Sequence, residues 1–295
     1  MNLLLSSDQE ALRDGIRSLC QGRFPMDRVR AGFDADGWKE LAAAGVFTTR
    51  QLDLGVADAA VVFEELGRAL VPGPLVWGWL NDRDDAVATG IERDDPTAEH
   101  FATADTLLVM DGEGLWEVDP ATVTAQERLE QLDPLTPVHR LENVPEGERR
   151  GDPMWLEAAT VTAAQLVGIA AACTDAAVGY AKERQQFDKP IGSFQAVKHI
   201  CADMFVRTDT ARAAVYAAAA ALDAPGSADE RRAVAAAKLL AGQAATANAR
   251  SSLQVHGGMG FTWEVDVHLY LKRAWLLDKV FGGQGEHADA IARKL

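Results

Sequence analysis

Two short stretches hold residue types whose spacing suits phosphate chemistry. The first contains Arg184, Phe187 and Lys189, placed where a helical pattern gives way to Pro190-Ile191-Gly192-Ser193. A guanidinium there can make a bidentate contact with a diphosphate. The simpler account is a surface arginine near a helix C-terminus, where the macrodipole already favours a cation. The second contains Gln254, Gly257, Gly258 and Gly260. Glycines let a backbone pass close to a ligand and leave N–H donors free, although glycine after a helix is most simply a stop signal. Lys182, Lys189, Lys198, His199, Lys272 and Arg273 fall in or beside these stretches, so basic charge concentrates there in a chain of net charge −15. Solvated helix faces would account for the same lysines.

Candidate acid–base groups are sparse. Glu286 and His287 lie near the C-terminus, and Glu157 lies at the start of a long helical pattern. Histidine has a suitable pKa, yet a lone histidine is more often structural. Glu157 also suits the positive end of its own helix. Cys20, Cys173 and Cys201 form no CxxC pair, and their odd number argues against a disulfide framework. Buried thiols are the expectation for Cys173 and Cys201. No metal site is expected.

Composition narrows the classes. Apolar residues make up 48% of 295, which excludes global disorder. The acidic balance argues against nucleic acid, whose affinity comes mainly from Lys and Arg on phosphates. The apolar run Leu3 to Leu5 is too short for a signal peptide. No stretch is expected to span a membrane, so a cytoplasmic location is the default.

The elements follow from periodicity. Residues 1–80 read as a helical unit: a capping box at Ser7 and Glu10, a short helix closing near Gly45, and a helix from Val56 to Leu70 stopped by Pro72-Gly73-Pro74. Residues 81–152 read as a short β-rich module, with strands at Thr106 to Met110, Leu115 to Val118 and Val138 to Val144 and no assignment for 81–104. Residues 153–295 read as long helices: Pro153 to Arg184, Phe194 to Leu222, one capped by Ser227 and Glu230 and running to His256, and Glu264 to Phe281, with a short fifth. Short connections make this an antiparallel four-helix bundle. The chain is therefore mainly α.

The stretches YAKERQQFDKPIGSFQAVKHICADM (180–204) and LQVHGGMGFTWEVDVHLYLKRA (253–274) closely resemble the C-terminal helical domain of acyl-CoA dehydrogenases. DAAVVFEELGRALVPGP (58–74) is similar to the family's first helical domain. The resemblance implies FAD as cofactor. It places Arg184 and Phe187 against the FAD of a neighbouring subunit, and Gln254, Gly257, Gly258 and Gly260 against the same cofactor. Asp188 departs from the pattern, which usually has glycine there. The implied reaction is α,β-dehydrogenation of an acyl-CoA, with an electron-accepting flavoprotein as partner.

Two family parts are missing. The base is usually a Glu in a Tyr-Glu-Gly-Thr-like sequence, and that position falls here at Phe281 or Gly282, with Glu286 about one turn (~6 Å) further on. A minority of members place the base at a position matching Ala158, and Glu157 is one residue off, ~100° around the helix. No counterpart of the Thr-Glu-Pro-x-x-Gly-Ser-like flavin segment lies between Pro74 and Thr106. The chain thus resembles the reduced β-type subunit of actinobacterial steroid-degrading members that form α2β2 heterotetramers, with the base in a larger homologous partner. A complete homo-oligomer with a relocated base at Glu286, His287 or Glu157, and a non-catalytic helical scaffold, are the other two readings.

Overall fold

The computed structural model describes residues 4–128 and 130–293. Ten helices frame two small sheets among these residues. The N-terminal group comprises α1 (Ser7–Arg23), α2 (Met26–Arg30), α3 (Ala35–Ala43), α4 (Val56–Arg68) and α5 (Leu75–Asn81). The sheets follow, built from β1 (Ala88–Glu92), β2 (Thr97–Glu99), β3 (Thr106–Met110), β4 (Leu115–Val118), β5 (Thr124–Glu127), β6 (Val138–Glu142) and β7 (Glu148–Gly151). One sheet has the order β1-β3-β4-β7, with β1 and β3 parallel; the other is β2-β6-β5 and antiparallel. The C-terminal group is α6 (Trp155–Glu183), a two-residue-strand hairpin β8 (Gln185–Gln186) and β9 (Lys189–Pro190), then α7 (Gln195–Leu222), α8 (Glu230–His256), α9 (Val267–Leu277) and α10 (Gln284–Ala292).

Helix α6 is the axis of the molecule. It packs against α4, α7, α8 and α9, and Ala158 to Ala171 is buried without interruption. A helix apolar on every side must be covered on every side. By length and composition α6 meets the test for a membrane span, against expectation, but most of it is buried inside the protein. Small alanines and threonines supply much of its length, so its apolar character does not stand out as a run of large residues.

The α4–α6 crossing is unusually close. A Cβ added to Gly168 would stand 2.0 Å from the Glu64 carbonyl oxygen, and one added to Gly67 would stand 2.1 Å from that of Gln165. Backbone atoms cannot swing aside as a side chain does. Gly168→Ala is therefore expected to cost about 3 kcal/mol, at the upper end for overpacking, read as a lower urea midpoint.

Polar ties set the register of the helices. Asn248, fully buried on α8, donates from Nδ2 to the Met204 carbonyl (2.9 Å) and Thr208 Oγ1 (2.8 Å) on α7 and to the Ala170 carbonyl (3.3 Å) on α6. Arg212 on α7 donates Nε (2.9 Å) and Nη2 (2.8 Å) to Glu64 on α4, and the Tyr216 hydroxyl donates to the same carboxylate at 2.8 Å.

Several local expectations are corrected. The first capping box uses Ser6 with Gln9, not Ser7 with Glu10. α8 is capped by Asp229, while Glu230 accepts from the Gly226 N–H. At α1 the pattern Ser-x-x-Glu/Gln occurs twice, one residue apart, and at α8 Ser227 and Asp229 both offer a capping oxygen, so only the backbone turn selects the cap. α6 starts at Trp155, two residues after Pro153. Residues 81–104, unassigned from sequence, contain the end of α5, β1 and β2. Cys201 is only partly buried, whereas Cys20 and Cys173 are buried. The run Leu3 to Leu5 lies partly outside the described residues.

Candidate functional site

The two phosphate-suited stretches meet at one end of the bundle. α6 and α8 run parallel and end side by side, where the Tyr180 and His256 rings stack with centroids 4.3 Å apart. Arg184 caps α6, its N–H donating to the Tyr180 carbonyl at 2.8 Å. Its guanidinium is exposed and has no ion pair among the described residues. Phe187 and Asp188 form the tip of the β8–β9 hairpin, both with positive φ (53° and 60°). Such two-residue tips require left-handed backbone at both positions. Aspartate tolerates that region, which accounts for Asp188 where glycine is usual. Phe187 is 84% exposed, so its ring faces outward instead of filling the core.

Across the gap, α8 ends at Gly257 with φ 63° and ψ −142°, a conformation that glycine alone adopts freely. A 3-10 turn, Gly257–Phe261, follows. A Cβ on Gly257 or Gly258 would meet nothing, so the backbone there lies open to an incoming group. Gly260 instead packs inward, a Cβ there standing 3.2 Å from His256 Cβ. Gln254 is exposed beside them. Phe261 and Trp263 are also exposed, and the Lys272 ammonium sits 4.7 Å from the Trp263 ring. Lys182, Lys189, Lys198 and His199 are exposed on this side. Arg273 does not belong to the set. It is buried, its Nε paired with Asp133 and its Nη1 donating to the Val71 carbonyl at 3.1 Å. One helical residue separates it from Lys272, enough to turn it into the core.

The second locus is the α9–α10 connection, which contains the expected base position. Gly282 has φ 88°, and a Cβ on it would lie 2.9 Å from His287 Nε2 and 3.3 Å from the Trp155 ring. His287 is buried and its Nε2 is 3.1 Å from the Phe281 carbonyl, which only accepts, so Nε2 carries the hydrogen. Burial, then the Lys238 charge, lowers its pKa. Lys238 is buried on α8 and donates to the carbonyls of Leu277 (2.9 Å), Gly282 (3.2 Å) and Asp278 (3.3 Å). It thereby caps the C-terminus of α9. Burial pushes its pKa down to about 8. Glu92 on β1 accepts from Trp155 Nε1 (2.7 Å) and from the Phe281 N–H (3.1 Å), and burial raises its pKa.

The other candidates border this same locus but are engaged elsewhere. Glu286 accepts from the Gly283 N–H at 2.8 Å and so closes the first turn of α10. Glu157 sits in the first turn of α6, lining a groove of about 750 Å³ with Glu92, Trp155 and Arg231. Its pKa is raised by burial. Beside this locus a smaller cavity of about 240 Å³ lies between Trp77, Ile91, Trp275 and Leu276. Glu92, Lys238 and Trp155 escaped the sequence reading. Glu92 lay in the unassigned segment, and a lone lysine on an alanine-rich helix reads as surface. No group of three or more His, Cys, Asp or Glu suited to a metal occurs among the described residues.

Known proteins agree with this architecture. The family described as acyl-CoA dehydrogenase, C-terminal domain, matches residues 157–295. Acyl-CoA dehydrogenase IpdE2 of Mycolicibacterium smegmatis is 35% identical over 305 residues, covering 92% of this chain and 93% of that protein. Acyl-CoA dehydrogenase FadE34 of Mycobacterium tuberculosis is also 35% identical, covering 95% of this chain but only 46% of FadE34. Among solved structures, the ChsE4-ChsE5 complex from Mycobacterium tuberculosis aligns with a TM-score of 0.83 at 20% identity, covering 100% of this chain and 98% of that one. The Tcur3481-Tcur3483 steroid ACAD aligns with a TM-score of 0.81 at 22% identity over 97% of each chain. Sequence identity of this extent, carried through all three parts of the fold, makes the chain a member of the acyl-CoA dehydrogenase family of FAD-dependent oxidoreductases.

Proposed function

We propose that this chain is the reduced subunit of a heteromeric acyl-CoA dehydrogenase, contributing FAD contacts across a subunit interface while a larger homologous chain supplies the catalytic base. One contrast supports this reading. The end bearing Arg184, Phe187, Gln254, Gly257 and Gly258 is open and unpaired, whereas at the base position, Phe281 or Gly282, Phe281 is buried and Gly282 lies against neighbouring rings. The exposed end fits an anionic cofactor: it carries an exposed guanidinium without an ion pair among the described residues, and glycine backbone that no Cβ obstructs. At the inner locus a Cβ on Gly282 would already meet His287 and Trp155, which leaves no room there for a carboxylate side chain.

Bound FAD supplies the hydride acceptor for α,β-dehydrogenation. This chain's residues hold and orient it: Arg184 neutralises the diphosphate, the Gly257–Gly258 backbone approaches it, and Phe187 and Phe261 shield it from water. FadE34 is about twice the length of the matched region, and one fold neighbour is a two-chain complex, both in keeping with a paired chain. The steroid ACAD among the neighbours favours a bulky, steroid-derived acyl-CoA as substrate. The electrons pass to an acceptor flavoprotein. An α2β2 assembly in the cytoplasm, without nucleic acid or membrane, completes the reading; the burial of α6 supports a soluble protein.

The test is the visible spectrum and native mass of the chain alone and of the chain co-purified with its homologous partner. A colourless lone chain and a yellow pair with about one FAD per heterodimer are expected. A yellow homo-oligomer with one FAD per chain would overturn the reading and bring Glu157, Glu286 and His287 forward as bases. Gly282→Glu in the lone chain is expected to give no acyl-CoA turnover, because the new side chain needs left-handed backbone and collides with His287. Dehydrogenation by that variant would show the site to be intact.

A further inference from the structure

The Tyr180–His256 stack lies between the two segments that the proposed function assigns to FAD. Tyr180 is one helical turn before Arg184, and its carbonyl accepts the Arg184 N–H at 2.8 Å. His256 directly precedes Gly257 and follows Gln254 by two residues. The rings are 4.3 Å apart with an interplanar angle of 26°. His256 is 7% exposed, and its Nδ1 is 2.8 Å from the Ser252 carbonyl, so that nitrogen donates and the ring is held in place. Gly260 lies close by, since a Cβ added to it would stand 3.2 Å from His256 Cβ. On the α6 side, the Arg184 carbonyl accepts the Ile191 N–H at 2.8 Å, closing the hairpin against the helix. Arg184, Tyr180 and His256 thus form one continuous chain of contacts that leads into Gly257.

Two exposed segments at the frayed ends of separate helices would otherwise move independently, because helix ends hold their last turn weakly. A bidentate contact to a diphosphate tolerates little movement. We propose that Tyr180 and His256 are positioning residues that clamp the last turns of α6 and α8 together and fix the spacing between Arg184 and the Gly257–Gly258 backbone. The proposal rests on the FAD-contacting role argued above. Neither ring touches the cofactor in it; both act through the segments they tie.

The experiment uses the co-purified complex with FAD bound. Tyr180→Ala and His256→Ala are expected to speed FAD release by about 3- to 10-fold, the range of an aromatic pair. Native mass and the unfolding midpoint should stay near those of the parent complex, and Tyr180→Phe, which keeps the ring, should release FAD at the parent rate. Where an alanine variant does not fold, Tyr180→Leu decides, since it fills the space without a flat ring. Release within twofold of the parent in the ring-less variants would overturn the clamp. So would equal losses in Tyr180→Phe and Tyr180→Ala, or FAD loss only through dissociation of the complex. Arg184→Ala separates the two ideas. If it also leaves release unchanged, the FAD-contacting role itself fails; if it speeds release while the ring-less variants do not, only the clamp fails.

Discussion

Arg184→Ala is expected to lower FAD affinity of the co-purified complex by roughly 10- to 100-fold, with native mass unchanged. The guanidinium is exposed, has no ion pair among the described residues, and lies at the same end of the bundle as Gly257 and Gly258. A charge-assisted hydrogen bond contributes ~1.5–3 kcal/mol, which converts to that range. Arg184→Lys should recover part of the loss, because an ammonium supplies charge without the planar fork. The measurement is FAD content after gel filtration, followed by titration of the stripped complex. Full retention in Arg184→Ala would remove the main support for a cross-subunit contact. A collapse of the fold would be surprising, since the side chain packs against nothing in the core.

Arg273→Met is expected to destabilise the chain by ~3–5 kcal/mol, the cost of leaving a buried charge without its partner. Asp133 is 0% exposed and Arg273 is 5% exposed. Asp133 also accepts from the Leu135 N–H (3.0 Å) and Thr136 Oγ1 (2.8 Å), so it is built as an ionised group. Burial raises its pKa, but the Arg273 charge and hydrogen bonds outweigh burial, and the net direction is down. The pair joins the 133–136 loop to α9 and, through Val71, to the segment after α4. A depressed folded pKa gives stability that is present above the ordinary carboxylate value of ~3.9 and lost as pH falls through the folded one. In the variant the isolated carboxylate prefers its neutral form instead. The deficit relative to the parent should therefore be largest at neutral pH and narrow below about pH 4. Urea unfolding at the two pH values checks both sign and size. Adding Asp133→Asn to Arg273→Met should restore part of the loss, since the carboxylate left without its partner is then removed.

Much of the helical scaffold was legible because its signals are local. The long apolar periods of α6, α7 and α8 and the breakers Pro190-Ile191-Gly192 and Pro225-Gly226 fix elements within two residues of their observed ends. β3, β4 and β6 were likewise marked by short apolar runs between turns. Cap choice was less legible, because neighbouring Ser, Asp, Glu and Gln offer equivalent local bonds until the chain path selects one.

The sequence by itself determined the family, the helical frame and the two motif segments with Arg184, Phe187, Gln254 and the glycines. These rest on residue identity and spacing along the chain, which need no third dimension. Only the tertiary structure decided that both segments share one open end, that Arg273 turns away into a buried pair, and that Gly282 is walled in by His287 and Trp155. It also decided that Lys238 and Glu92 hold the α9–α10 connection. The reason is that each of these facts joins residues from distant parts of the chain. Helix register and crossing distance set whether such groups meet, and neither is written in any single segment.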